Sequence, residues 1–476
     1  MNLTRSRIIR WALLLAGVAI ILIATTSLRP FAQTNRPAMR HPNVLFIVAD
    51  DLRANYGDAM AQTPNLKRLA QRGVTFSRAY AQYPVCNPSR VSFLTGLRPE
   101  TTSILGNGTY FRTKHPELVT LPQLLKQNGY FTASLGKIFH RGQTMEDAKT
   151  DWADAKSWSH IRIYQSTEAG MKGEGRRLAG DEAKWCHWLA AEGTDEDQPD
   201  GMIAAEAIKL INEKRAEPWF IGAGFHKPHD PFISPKKYFD LYPVEKIPLA
   251  TDPPIDGKAR SAEVELAIPN AYGRFAKFTD RERREFKRAY LAGVSFTDAQ
   301  VGKLLDALDQ NNLWDNTVVI FIGDHGYHLG EHGWWNKDTL FELSARAPLI
   351  IAAPGIKKGA TANGIVELLD LYPTLIEFAG LAAPHKLEGV SLKPLLQNPK
   401  AKGKDAGFTV VNRAGNRLGR SVRTDRWRYT EWEGGASGVE LYDHRRDPGE
   451  YHNLANDAQW ASVKAELKQR LKSIER

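Results

Sequence analysis

Hydrophobic residues follow two rhythms along this chain. Val44–Ala49 is a continuous apolar run, and further apolar runs occur at Phe131–Leu135, Trp219–Ala223, Val318–Ile322 and Leu349–Ala353. A strand that is apolar at successive positions buries both of its faces, the pattern of a parallel sheet covered by helices on two sides. Between these runs apolar residues recur at helical spacing, over Asn65–Arg72, Leu121–Asn128, Met202–Lys214, Asp280–Gln310 and Ile365–Phe378. Thr63-Pro64 supplies an N-cap and a first-turn proline for the earliest of these helices, and Gly73 closes it. Strand alternating with helix predicts an α/β fold on a large, mostly parallel sheet sandwiched by helices. Beyond residue 395 the texture changes. Short runs at Gly407–Asn412, Arg420–Thr424, Arg428–Trp432 and Val439–Tyr442 precede an amphipathic stretch, Trp460–Ile474. They predict a small antiparallel sheet closed by a C-terminal helix. The loop-rich stretch 140–200 receives no assignment.

The N-terminus has a pattern of its own. Arg5, Arg7 and Arg10 flank an apolar run from Trp11 to Ala24, shorter than the roughly 20 residues of a spanning helix. Residues 1–27 therefore read either as a removed signal peptide or as a retained membrane anchor through residues 8–26. Both place the body outside the cytoplasm, periplasmic or secreted. Residues 28–40 are polar and aperiodic, a linker. The chain has 476 residues, 42% hydrophobic and 25% charged, enough for a large core that needs no disulfide staples. Its two cysteines are Cys86 and Cys186. A formal charge of +10 suits anionic partners. Basic residues are scattered, without a Lys/Arg run or interleaved aromatics, so nucleic acid is not an expected partner.

Polar clusters follow the predicted strands. Asp50-Asp51 comes after Val44–Ala49, Lys137 and His140 after Phe131–Leu135, His226 and His229 after Trp219–Ala223, and Asp324-His325 after Val318–Ile322. Each alone reads as turn or loop chemistry. Four together mark the carboxyl edge of an open sheet, where ligands bind. A fifth cluster is Cys86-Asn87-Pro88-Ser89-Arg90. Pro88 suits a first helical turn, which puts Cys86 at a helix N-terminus that favours an anion. Arg90, one turn on, adds a permanent charge with forked donors. On these features alone Cys86 is either a small buried residue or a thiol nucleophile of lowered pKa.

Cys86-x-Pro88-Ser89-Arg90, within the run Val85–Gly96, resembles the signature of formylglycine-dependent sulfatases, members of the alkaline-phosphatase-like superfamily. Asn128–Tyr130 through Gly136–His140 is similar to the family's second signature. Gly224–His229 and Asp324–Gly333 resemble the iduronate-2-sulfatase branch, and Leu441-Tyr442-Asp443 with Asp447-Pro448 and Asn453-Leu454 looks like the family's usual C-terminal tail. The resemblance implies an alkaline-phosphatase-like catalytic part over residues 41–395 and a C-terminal subdomain over 396–476. It implies that a formylglycine-generating maturation enzyme converts Cys86 to an aldehyde, whose hydrate attacks sulfur. Asp50, Asp51, Asp324 and His325, with the modified Cys86, would hold one divalent cation. A carboxylate-rich set favours Ca²⁺ or Mg²⁺ over zinc, and calcium is expected.

By the same resemblance Arg90 and Lys137 orient the nucleophile, Asp324 activates it, and His140 takes the proton that triggers sulfate elimination. His229 and Lys337 grip the sulfate, and His229 protonates the leaving alcohol, with His226 a second candidate. The implied substrate is a sulfated carbohydrate, a uronic acid or similar sugar. Two other readings are a phosphoester or phosphonate hydrolase of the superfamily, and a non-catalytic sulfated-glycan binder if Cys86 stays unmodified. His328, Glu331 and His332 either shape the pocket or pack the loop. Cys186 reads as a packed free thiol, and Trp185 and Trp188 as sugar-stacking or core residues.

Overall fold

The structure is a computed structural model that describes residues 41–140, 153–178, 186–214, 218–253, 264–269, 275 and 277–474. The N-terminal apolar run expected as a signal or anchor, the 28–40 linker and Trp185 lie outside these residues. In chain order the strands are β1 (Asn43–Asp50), β2 (Val74–Tyr80), β3 (Phe131–Gly136), β4 (His160–Arg162), β5 (Gly173–Arg177), β6 (His187–Ala191), β7 (Trp219–Pro228) and β8 (Phe232–Pro235). They continue with β9 (Thr317–Gly323), β10 (Arg346–Ala352), β11 (Ala360–Glu367), β12 (Gly407–Arg413), β13 (Arg417–Arg423), β14 (Trp427–Trp432) and β15 (Val439–Asp443).

Eight of them form one sheet in the order β11-β2-β10-β9-β1-β7-β3-β4. Only β10 opposes its neighbours, pairing antiparallel with β2 and β9; the sheet is mixed but mostly parallel, as expected. The continuous apolar run in β1 has its reason in the two cores. Val44, Phe46 and Val48 enter one cluster, while Leu45, Ile47 and Ala49 enter the other. Successive strand residues point to opposite faces, so a strand between two helical layers needs an apolar residue at every position.

The helices are α1 (Pro64–Arg72), α2 (Cys86–Thr95), α3 (Leu121–Gln127), α4 (Pro199–Lys214), α5 (Asp280–Gln310), α6 (Leu371–Ala379) and α7 (Ala461–Lys472), besides single turns. A capping box fixes the start of α5: the Thr279 side chain takes the Glu282 N–H while Glu282 takes the Thr279 N–H. One expected helix is corrected. Ile365–Glu367 finish β11 rather than opening a helix, and α6 begins only at Leu371 after a single tight turn. Pairing with β2 claims this segment, with Ile365 opposite Arg78 and Val366 opposite Ala79, and tertiary pairing overrides a local helical period.

β12–β15 form the small antiparallel sheet, closed by α7, whose Leu467 and Leu471 pack on Val422, Tyr429 and Leu441. It joins the large sheet where the Val410 N–H donates to the Gln82 carbonyl at 2.9 Å and the Thr409 hydroxyl to the Ala81 carbonyl at 2.8 Å. The unassigned stretch holds β4 and two strands of a three-stranded sheet, β5-β6-β8, whose third strand β8 follows β7. Trp158 and Trp188 there are core residues, and the Trp188 indole N–H donates to Glu285 at 3.1 Å. Cys86 and Cys186 are both free and buried.

Candidate active site

Four adjacent parallel strands, β9, β1, β7 and β3, deliver the predicted polar clusters to one edge. Asp50 ends β1, Lys137 follows β3, His226 lies in β7 with His229 just beyond, and Asp324 follows β9. Gly224 permits the close approach of two of these ends: a Cβ there would sit 2.1 Å from the Lys137 carbonyl oxygen. Cys86 is the first residue of α2, a helix buried along its whole length, and so places a fully buried thiol at that helix's N-terminus.

The buried charges interlock. Arg90 donates from Nε to Asp324 and from an Nη to Asp50, each at 3.0 Å. Its other Nη reaches the carbonyls of Lys137 and Ile138. Every fork of Arg90 therefore braces the two carboxylates and the β3 loop. Lys137 Nζ lies 2.5 Å from Asp50 Oδ2. Lys337 Nζ donates to Asp51 Oδ1 and to Cys86 Sγ, the latter at 3.1 Å. The Asp51 N–H donates to Asp324 Oδ1 at 3.0 Å. His325 Nε2 stands 3.5 Å from Asp51 and 3.6 Å from Asp324.

The two histidines of the β7 segment are placed differently. His229 Nδ1–H donates to the Asp230 carbonyl, which leaves Nε2 facing Asp51 Oδ2 at 3.8 Å. His226 lines a cavity of about 530 Å³ that opens from this centre, beside Asp50, Lys137, His140 and His229, with Tyr164 and Met171 on its wall.

Burial and charge set opposing pKa shifts among neighbours. Burial and the Cys86 sulfur push Asp50 up, yet Lys137, His229 and Arg90 hold it well below the carboxylate range. Burial raises Asp51 against the pull of His229 and Lys337. Asp324 rises to about 7, where burial outweighs His325 and Arg90. Burial opposes ionisation of the Cys86 thiol too, but Lys137 and Lys337 bring it well below its ordinary value. His140 is pushed by burial down to about 4, against a hydrogen bond to Cys86. Burial lowers His229, and Asp230 and Asp51 more than reverse that, to about 9.

The donor set suits a hard divalent cation. Asp50, Asp51, Cys86 and His229 offer ligand atoms within 4.8 Å of one another, as do Cys86, Asp324 and His325. Asp51 Oδ2 and His325 Nε2 are buried polar atoms without a hydrogen-bond partner, as expected of atoms meant for a metal. With three carboxylates among their six side chains, these groups match Ca²⁺ or Mg²⁺ better than a thiolate-rich zinc site would.

His328, Glu331 and His332 pack the loop. His328 binds Thr339 at 2.9 Å, Glu331 pairs with Arg53 at 2.9 Å, and His332 stacks on Phe341 with ring centroids 4.1 Å apart. Two hydroxyls support the site through backbone. Ser89 of the signature donates to the Asp324 carbonyl, and Tyr290, which the sequence did not single out, donates to the Asp51 carbonyl at 2.7 Å.

Sequence comparison agrees with this geometry. The family described as Sulfatase matches residues 42–381, and that described as N-sulphoglucosamine sulphohydrolase, C-terminal, matches residues 330–476. The chain is 33% identical to iduronate 2-sulfatase of Mus musculus, over 88% of this chain and 91% of that protein. It is also 33% identical to a sulfatase of Formosa agariphila, covering 90% and 85% of the two chains. Among solved structures, a phosphonate monoester hydrolase of Agrobacterium radiobacter superposes with a TM-score of 0.76 at 24% identity, over 91% of this chain and 95% of that one. A protein solved with its substrate D-glucosamine-2-N,6-O-disulfate superposes with a TM-score of 0.72 at 23% identity, over 91% and 97%. These two likenesses carry the fold; the family matches carry the chemistry. The chain belongs to the sulfatase family and is a sulfuric ester hydrolase.

Proposed function

We propose that the protein removes O-sulfate from a sugar of a sulfated glycan, a uronic acid or a similar ring, using a formylglycine made from Cys86 and one bound Ca²⁺. The observation that carries this reading is the convergence on Cys86, at a helix N-terminus, of Lys337, Asp51 and two groups of side chains whose donor atoms are close enough to share a cation. Asp50, Asp51, Asp324 and His325 would hold the cation, which would supply Lewis acidity when bound, and formylglycine at position 86 would supply a hydrated aldehyde as nucleophile. Arg90 braces Asp50 against Asp324, and Lys137 neutralises Asp50 beside the nucleophile. Lys337 and His229 grip sulfate oxygens and stabilise charge as it shifts. His229, its Nδ1–H fixed on the Asp230 carbonyl, directs Nε2 to the departing alcohol oxygen and protonates it. His140, kept neutral by burial, accepts the proton that accompanies sulfate release. His226 contacts the sugar from the cavity wall.

Similarity to iduronate 2-sulfatases over most of the chain supports a sugar sulfate as substrate. The division into a catalytic part over 41–395 and a subdomain over 396–476, export through residues 1–27 and action of a maturation enzyme complete the proposal. The test is a desulfation screen on sulfated mono- and oligosaccharides with formylglycine-bearing protein. Release of sulfate from a sugar ester supports the reading. Hydrolysis of aryl phosphate or phosphonate esters, with no sulfated sugar turned over, would favour the phosphoester alternative.

A further inference from the structure

We infer that Asp200 and Lys227 are positioning residues that hold His229 aimed at the leaving oxygen of the sulfate ester. The segment His226–Pro231 is a strap leaving the end of β7, and both charged side chains bind its backbone. Asp200, in the first turn of α4 and 1% exposed, accepts the N–H of His226 on one oxygen at 2.8 Å and the N–H of Lys227 on the other at 2.9 Å. Lys227 Nζ donates forward to the carbonyls of His229 at 2.8 Å and Pro231 at 2.6 Å. The Thr297 hydroxyl on α5 ties the Lys227 carbonyl at 3.1 Å. The His229 N–H closes the turn on the His226 carbonyl at 3.0 Å.

Burying two charges is a costly way to shape a turn, because neutral turn chemistry or apolar packing would hold a chain with less desolvation. What ionised partners add is directional strength. Hydrogen bonds to charged groups are roughly twice as strong as neutral ones, and here they fix the backbone on both sides of the His229 Cα. A displacement of about 1 Å at a catalytic group costs about 100-fold in rate, so the strap is where such rigidity matters. Asparagine at 200 is the incisive probe. Its carboxamide keeps one acceptor but turns an NH₂ toward the second backbone N–H, so donor meets donor.

This inference rests on the reading of His229 as the proton donor to the departing alcohol. The experiment compares 4-nitrophenyl sulfate, whose leaving group needs little protonation, with phenyl sulfate, which needs it more. Wild type, His229→Ala, Asp200→Asn and Lys227→Met are measured for kcat/KM, with thermal unfolding of each. His229→Ala is expected to raise the ratio of 4-nitrophenyl to phenyl turnover by about tenfold or more, since general acid catalysis supplies about 10²–10⁴. Asp200→Asn and Lys227→Met should raise that ratio in the same direction, through kcat rather than KM. A purely structural role would depress both substrates equally. If His229→Ala shifts the ratio and the two folded variants do not, the positioning role is overturned while the mechanism stands. If His229→Ala leaves the ratio unchanged, the assignment of the proton donor fails and this inference with it. Loss of folding in both variants would also overturn it, because the pair would then hold the fold rather than the histidine.

Discussion

At Asp51 the backbone takes a φ of 65°, a left-handed conformation that costs a non-glycine residue energy. Tyr290 holds it there: its hydroxyl donates to the Asp51 carbonyl at 2.7 Å and accepts the Arg53 N–H at 3.1 Å. Tyr290→Phe is therefore expected to weaken the affinity for the cation by about tenfold, the usual scale for a group that orients a ligand. Titration of Ca²⁺ into chelated protein, followed by recovery of activity, measures the shift; unchanged affinity would detach Tyr290 from the metal site. Asp50, Asp51, Lys137, Asp324 and His325 were legible because each directly follows an apolar strand and carries chemistry that a bland turn does not need. Tyr290 was not, because it acts on backbone from 239 residues away and reads locally as one more apolar position of α5. Asp200 was hidden for a similar reason, since an acidic residue in a helix's first turn is ordinary capping. The sequence also suggested that Arg90 offers its fork to an oxyanion, whereas its donors are engaged by Asp50, Asp324 and two carbonyls.

α1, α3 and α5 were read to within one residue, whereas β7 runs on to Pro228, five residues past its apolar run. The bounds of α5 coincide with expectation because Thr279 and Glu282 form a capping box. The end of β11, Ile365–Glu367, reads as the start of a helix because only its partner β2, far away in sequence, decides its state. β2 was overlooked because its exposure alternates, with Thr75 and Ser77 half-buried, so it lacks a continuous apolar run. A second joint of the small sheet, beside its hydrogen bonds to Ala81 and Gln82, is ionic and buried. Arg428 on β14 binds Glu450 at 2.5 Å and Glu342 at 2.6 Å, and His444 binds Glu450 at 2.8 Å. Glu342, His444 and Glu450 could be taken for a metal site, but these ion pairs already engage all three side chains. Burial raises Glu450, and Arg428 and His444 bring it down from 4.5 to about 2. A carboxylate depressed in the folded state stabilises above its unfolded pKa, and that stability is lost as pH falls through the folded value. Glu450→Gln should then destabilise the protein by about 3 kcal/mol at pH 7, the cost of weakening a buried pair. The difference should shrink from roughly pH 5 toward pH 2 as the wild-type group protonates. Urea unfolding over that range checks the sign; a difference independent of pH would contradict it.

Across the whole molecule, the sheet order is what makes a site from scattered motifs. β9, β1, β7 and β3 are adjacent and parallel, so clusters that lie at residues 50, 137, 229 and 324 meet at one edge. Their carboxylates repel unless a cation or the basic side chains sit among them. Chelation is expected to abolish turnover and lower the unfolding temperature, since a ligand at about 100 times its dissociation constant stabilises by about 2.7 kcal/mol. Ca²⁺ should restore both, and Zn²⁺ should not. Full activity after exhaustive chelation would remove the cation from the account.

In the proposed mechanism the sulfatase reaction runs on an aldehyde made from Cys86. Mass analysis of the peptide Ala79–Arg90, from catalytically active protein purified from its own host, tests this most directly. The predicted result is a formylglycine mass at position 86, rising and falling with specific activity among preparations. An unmodified thiol throughout fully active protein would contradict it.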